Sequence, residues 1–121
     1  MRTGNLWSVA AVWLVLCVQC TSVVAPDLCE DSQQKTENVS FSDDVYPIIA
    51  NSCALPGCHV GNFPNGNFTS YDDLKIRVDN GELYFRLTSG QMPPAFSEVP
   101  ALTVCDVRMI TTWIAEGARN N

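Results

Sequence analysis

Seven consecutive residues, Cys53-Ala54-Leu55-Pro56-Gly57-Cys58-His59, contain two of the six cysteines and the only histidine of the chain. Two thiols and an imidazole this close in sequence can serve a single site. A Cys-His pair preceded by a second Cys is the pattern of covalent c-type haem attachment, usually written C-x-x-C-H. The chemistry sets that order. Two thiols add across the vinyl groups of the macrocycle as thioethers, and the next residue, His59, is held under the iron as its proximal ligand. The spacer here is four residues instead of two. Pro56-Gly57 supplies a tight turn that can absorb the added length as a bulge. Two other readings of the heptad stay open. Cys53 and Cys58 can form a local disulfide in an exported protein, leaving His59 a surface residue. The three side chains can also belong to a zinc site, for which no fourth ligand stands at a usual spacing.

The 121 residues suffice for one domain after any processing. Residues 1–20 read as a targeting segment, because Arg2 is their only charged side chain and Leu6 to Cys20 is almost wholly apolar. That run is shorter than a membrane span requires. It fits a signal peptide or a lipoprotein signal, with Cys20 or Cys17 as the lipidated residue, or an uncleaved anchor. The expected protein is therefore exported, and periplasmic or membrane-anchored. Residues 21–40 are mostly polar and read as a tether or loosely packed arm. From Thr21 on, six basic side chains stand against thirteen acidic ones, a formal charge of −7. This balance argues against nucleic acid and anionic membrane surfaces as electrostatic partners. It is compatible with docking to a basic redox partner protein.

A domain of this size often needs a disulfide, a metal or a cofactor as a staple. If Cys53 and Cys58 hold haem, and Cys17 and Cys20 belong to the signal or anchor, Cys29 and Cys105 are left over. They could pair and fasten the arm to the last helix, although sequence does not fix pairing.

Helical periodicity dominates the remainder. Phe41 to Ser52 predicts a first helix with Ser42 as its cap and Asp43 and Asp44 at its positive end. Val45, Ile48 and Ile49 form its apolar face. Residues 61–69 are a loop. Ser70 to Val78 predicts a second helix, capped by Ser70 with Asp73 three residues on. Asp79-Asn80-Gly81 breaks it. Glu82 to Thr88 predicts a third, whose apolar run Leu83-Tyr84-Phe85 follows no single face. The last helix opens with Thr103 and Asp106 in capping-box spacing. It carries Val107, Ile110, Trp113 and Ile114 on one face and ends at Gly117.

Met92 provides the second part of the pattern. A haem iron held by His on one side is often held by a Met thioether on the other. Of three methionines, Met1 is the start, Met109 lies within the last helix, and Met92 alone sits in a loop after the heptad. Pro93 and Pro94 stiffen that loop. Phe63, Phe68, Tyr71, Tyr84, Phe85 and Phe96 lie between or near the two candidate ligands, where they suit a flat apolar cofactor or an ordinary core. Arg77 or Arg86 could hydrogen-bond a haem propionate, the other reading of each being a solvated surface charge.

Taken together, Phe41-Ser42, Val45-Tyr46-Pro47-Ile48, Cys53, Gly57-Cys58-His59, Gly90-Gln91-Met92-Pro93-Pro94, Trp113-Ile114 and Gly117-Ala118 carry a resemblance. From about residue 41 to 121 the chain resembles a small monohaem class I c-type cytochrome domain, similar to the planctomycete-type bacterial cytochrome modules. The resemblance implies an all-α fold, a small cytochrome c-like helical domain wrapped around one covalent haem. It implies haem c bound through Cys53 and Cys58, axial ligands His59 and Met92, and electron transfer outside the bacterial cytoplasm. No bond-making at the iron is expected. The alternatives are a haem enzyme or gas sensor with an open iron, and a haem-free secreted interaction module stapled by disulfides.

Overall fold

The computed structural model describes Cys29, Lys35 and residues 37–121. The expected signal segment and most of the expected tether lie outside the described residues. Within them the chain is all-α, with four α-helices and no strand: α1 (Tyr46–Ser52), α2 (Tyr71–Asp79), α3 (Glu82–Thr88) and α4 (Val104–Ala115). None of these helices is long and apolar enough to cross a membrane.

The first helix begins differently from its sequence expectation. A π-helical turn, Phe41–Val45, precedes α1. Its cap is Ser40, whose Oγ accepts the Asp43 N–H at 3.3 Å, while Ser42 is exposed within the turn. The Asp44 carboxylate accepts the Ser40 N–H in return at 2.8 Å. Two backbone donors of the helix start are thus satisfied by side chains. The wider turn directs Phe41 and Val45 inward together, and both are buried. Pro47 falls within the first turn of α1, where its missing N–H removes no helical bond.

The other three helices start as their sequences predict. Ser70 Oγ accepts the Asp73 N–H at the start of α2. Thr103 and Asp106 form a reciprocal capping box at the start of α4. That helix ends in a Schellman arrangement. Gly117 N–H donates to Ile114 C=O at 3.0 Å, and Ala118 N–H donates to Trp113 C=O at 2.9 Å. Gly117 carries the left-handed conformation this ending requires, with φ +93°. In α3 the ambiguous apolar run resolves by spacing. Leu83 and Leu87, one turn apart, are buried, whereas Tyr84 and Phe85 face solvent.

The core gathers side chains of the π-helical turn and of all four α-helices. Val45, Ile49, Leu74, Ile110 and Trp113 are fully buried. Phe41 stacks on Trp113 with ring centroids 5.4 Å apart, and Tyr71 meets Phe41 edge-on at 5.1 Å. The Tyr71 hydroxyl donates to the Ala118 carbonyl, so its polar end is satisfied beside the core. Trp113 Nε1 donates to the Arg119 carbonyl.

The two ends of the domain are tied together. The Glu116 carboxylate accepts the N–H groups of Asn38 and Val39 at 2.7 and 2.8 Å. Asn121 accepts the Phe41 N–H on its side-chain oxygen and the Ser42 N–H on its backbone oxygen. Val39 is buried in the core, so the packed domain begins upstream of Phe41. Cys29 and Cys105 form a disulfide across 76 residues, joining the arm to the first turn of α4. Bridges of this kind are worth roughly 2–4 kcal/mol.

Candidate functional site

α1 runs directly into the heptad. Cys53 ends it, with its N–H on the Ile49 carbonyl. The Cys53 carbonyl then organises the rest of the heptad, accepting the Leu55 N–H at 2.8 Å and the His59 N–H at 3.2 Å. Between those bonds, Cys58 N–H donates to Leu55 C=O at 2.9 Å. Pro56 and Gly57 are the central residues of that turn, and Gly57 has φ +82°. This is the residue order and handedness of a type II turn. The four-residue spacer is therefore folded back on itself, and the backbone of His59 bonds to that of Cys53.

Both heptad cysteines are free thiols, Cys53 buried and Cys58 half-buried. The local disulfide is not formed. Burial pushes the Cys53 thiol up to about 11, and the neighbouring Cys58 adds to the effect. No group of three Cys, His, Asp or Glu side chains is placed to hold a metal ion among the described residues, so the zinc alternative lacks its ligand cluster.

His59 is fixed from several sides. Its carbonyl accepts the Phe68 N–H at 2.8 Å, which closes the loop between them. Its ring lies parallel to that of Phe68, with centroids 4.0 Å apart and planes 2° from parallel. Phe63 meets it edge-on at 5.4 Å. Nδ1 is 3.3 Å from the Gly66 carbonyl oxygen. A carbonyl only accepts, so Nδ1 carries the proton and Nε2 of the neutral ring keeps a lone pair. Burial is the main reason the imidazole titrates below its ordinary value. The Arg77 charge acts in the same direction, and together they outweigh the opposing carbonyls of Gly66 and Asn65 and the charge of Glu82.

Cys53, Cys58, His59 and Met92 all line a single cavity of about 400 Å³. That volume is within the range of small-molecule and cofactor sites. Met92 reaches it from the loop after α3, where its N–H donates to the Arg86 carbonyl at 3.3 Å. Leu83 and Leu87 of α3, with Phe63, Phe68 and Phe96, give the cavity an apolar lining. The structure thus brings all four sequence-predicted site residues together. It divides the aromatics. Tyr71 belongs to the core, and Tyr84 and Phe85 are on the exposed side of α3.

Two participants are not apparent from sequence patterns. Gly66 supplies the acceptor for His59, and its only local signal is the Asn65-Gly66 turn dipeptide. Glu82 joins Arg77 and Arg86 at the cavity wall, through Arg77 Nη1 at 2.7 Å and Arg86 Nη2 at 3.6 Å.

As a donor set, the residues fit a c-type haem. Two free thiols suit covalent attachment, and an imidazole with Nδ1 protonated and a thioether are both side chains that could hold an iron. The chain matches no protein-family model, no curated protein and no solved structure.

Proposed function

We propose that this chain is an exported electron carrier holding one haem c. Cys53 and Cys58 would bind it as thioethers, and His59 and Met92 would hold its iron. The observation that carries this reading is the convergence on one apolar cavity of Cys53, Cys58, His59 and Met92, two of them free thiols and one a residue 33 positions away from His59. Haem c supplies reversible one-electron exchange between ferric and ferrous iron.

The chain's own residues have distinct parts in this reading. Gly66 holds the Nδ1 proton of His59, which fixes the tautomer and leaves Nε2 as the ligand atom. Phe68 and Phe63 keep the imidazole from rotating. Pro93 and Pro94 limit the drift of Met92. The apolar lining excludes water, which favours the less charged state of a redox centre. With His59 and Met92 both holding the iron, the role is electron transfer and not catalysis, and the partners are redox proteins.

The Cys29–Cys105 disulfide also suits a haem-free secreted module. That reading gives no role to two unpaired thiols beside the only histidine. The two are separated by testing for covalent haem in protein made with a c-haem maturation system.

A further inference from the structure

His59 and Phe68 are joined twice. The Phe68 N–H donates to the His59 carbonyl at 2.8 Å, and their rings lie face to face, with centroids 4.0 Å apart and planes 2° from parallel. Parallel rings at that separation are in van der Waals contact, so a tilt of either one drives its atoms into the other. Phe68 has little freedom to follow such a tilt. It is buried in the cluster that also holds Leu74, Leu83 and Leu87. Asn67 Oδ1 accepts both the N–H and the hydroxyl of Thr69, at 3.2 and 2.9 Å, which bridges the backbone on either side of Phe68. The Gly66 contact restrains a different motion. A half-turn of the imidazole about Cβ–Cγ keeps the ring in its plane and exchanges Nδ1 with Cδ2. The stack does not oppose that motion, but the motion breaks the hydrogen bond to the Gly66 carbonyl. At 3.3 Å that bond is longer than a typical N–H···O bond and tolerates the tilt that the stack forbids. Tautomer and ring plane are thus held by separate contacts, both within the chain.

We propose that Phe68 is a positioning residue for the iron: its face sets the plane of the His59 imidazole, while Gly66 sets which ring nitrogen is free. This deepens the function proposed above and rests on it. Groups that orient a metal ligand tune the metal it holds. An imidazole confined to one plane gives a bound iron one fixed electronic axis. It also moves little between the two oxidation states, which suits repeated one-electron exchange. Leucine at position 68 would fill the same buried space but has no flat face with which to fix that plane.

The test compares the full wild-type chain with Phe68→Leu, which keeps apolar volume without a flat face, and Phe68→Tyr, which keeps the ring. In the haem-loaded ferric protein, the pattern of paramagnetically shifted haem methyl signals in proton NMR follows the plane of the imidazole on the iron. A rearranged pattern is expected in Phe68→Leu and the wild-type pattern in Phe68→Tyr. A purely space-filling role would leave the leucine pattern unchanged. That result, in a variant that still carries covalent haem, would overturn the proposal and leave the electron-carrier reading standing, and so would a tyrosine pattern matching that of leucine. A wild-type chain that takes up no haem would overturn both. If Phe68→Leu fails to mature, the haem-free protein decides. His59 is the only histidine of the chain, so its ring-proton signals are unambiguous. The face of Phe68 is expected to shift them upfield in wild type and Phe68→Tyr, and the shift is expected to be lost in Phe68→Leu. The same signal positions in wild type and Phe68→Leu would overturn the proposal.

Discussion

Nδ1 of His59 faces the carbonyl oxygen of Gly66 at 3.3 Å, across a loop that the two residues help to close. Gly66 has little room to change. A Cβ there would lie 3.1 Å from Nε of Arg77 and 3.2 Å from Cε1 of Phe68, at a φ of +102° that L-residues rarely adopt. Gly66→Ala is therefore expected to move the carbonyl off His59 and to destabilise the protein by about 1–3 kcal/mol. Denaturant unfolding gives the second quantity. Nitrogen NMR of the haem-free protein gives the first, as a loss of the Nδ1-protonated tautomer. A variant as stable as wild type with an unchanged tautomer would show that the loop does not depend on this contact.

Met92 lines the same cavity as His59 from the other side of a long sequence gap. In the haem-loaded protein, Met92→Ala is expected to open the sixth position. Ferrous protein should then bind carbon monoxide, which wild type should not, and the reduction potential should fall as the thioether is lost. Identical carbon monoxide binding in the two proteins would show that Met92 is not a ligand, and would favour an enzyme or sensor with an open iron.

The heptad thiols differ in exposure. Cys53 is buried and its thiol is pushed up to about 11, whereas Cys58 is half-buried. In haem-free protein at pH 8, Cys58 is expected to alkylate roughly tenfold faster than Cys53. Mass mapping over time checks the order. Equal rates would mean that the loop opens faster than it reacts.

Much of the helical framework is legible in the sequence because caps are local. Ser70 with Asp73, Thr103 with Asp106, and Gly117 each satisfy backbone groups within a few residues. That Cys53, Cys58, His59 and Met92 line one cavity follows a sequence expectation built on residue type, since few side chains offer a thiol, an imidazole or a thioether. What escapes local reading is set by tertiary partners. Ser40 displaces Ser42 as the cap because Asp44 completes the pair and Asn121 anchors the turn from 80 residues away. Docking of Val39 depends on Glu116, 77 positions later. The direction of Tyr84 and Phe85 cannot be read from three apolar residues in a row, and only packing of Leu83 and Leu87 decides it.

Asp44 gives a pH signature. Burial favours its neutral form, but the hydrogen bond from the Lys35 ammonium, the Ser40 N–H and the Lys35 charge outweigh that and hold its carboxyl below the ordinary value. The folded state thus binds its proton less readily than the unfolded state. The stability it contributes is present above the unfolded carboxylate range, near pH 4, and is lost as pH falls through the lower folded value. Asp44→Ala is expected to cost about 1–2 kcal/mol at pH 7, with less loss below pH 3. Urea unfolding across pH 2–7 measures both. A constant difference across that range would contradict the assignment.

The most direct measurement is the intact mass and colour of the purified full chain expressed with a c-haem maturation system. One haem bound covalently through Cys53 and Cys58, with red colour that survives denaturation and acid-acetone extraction, is the expected result. A colourless protein with no haem adduct and Cys53 linked to Cys58 would contradict it.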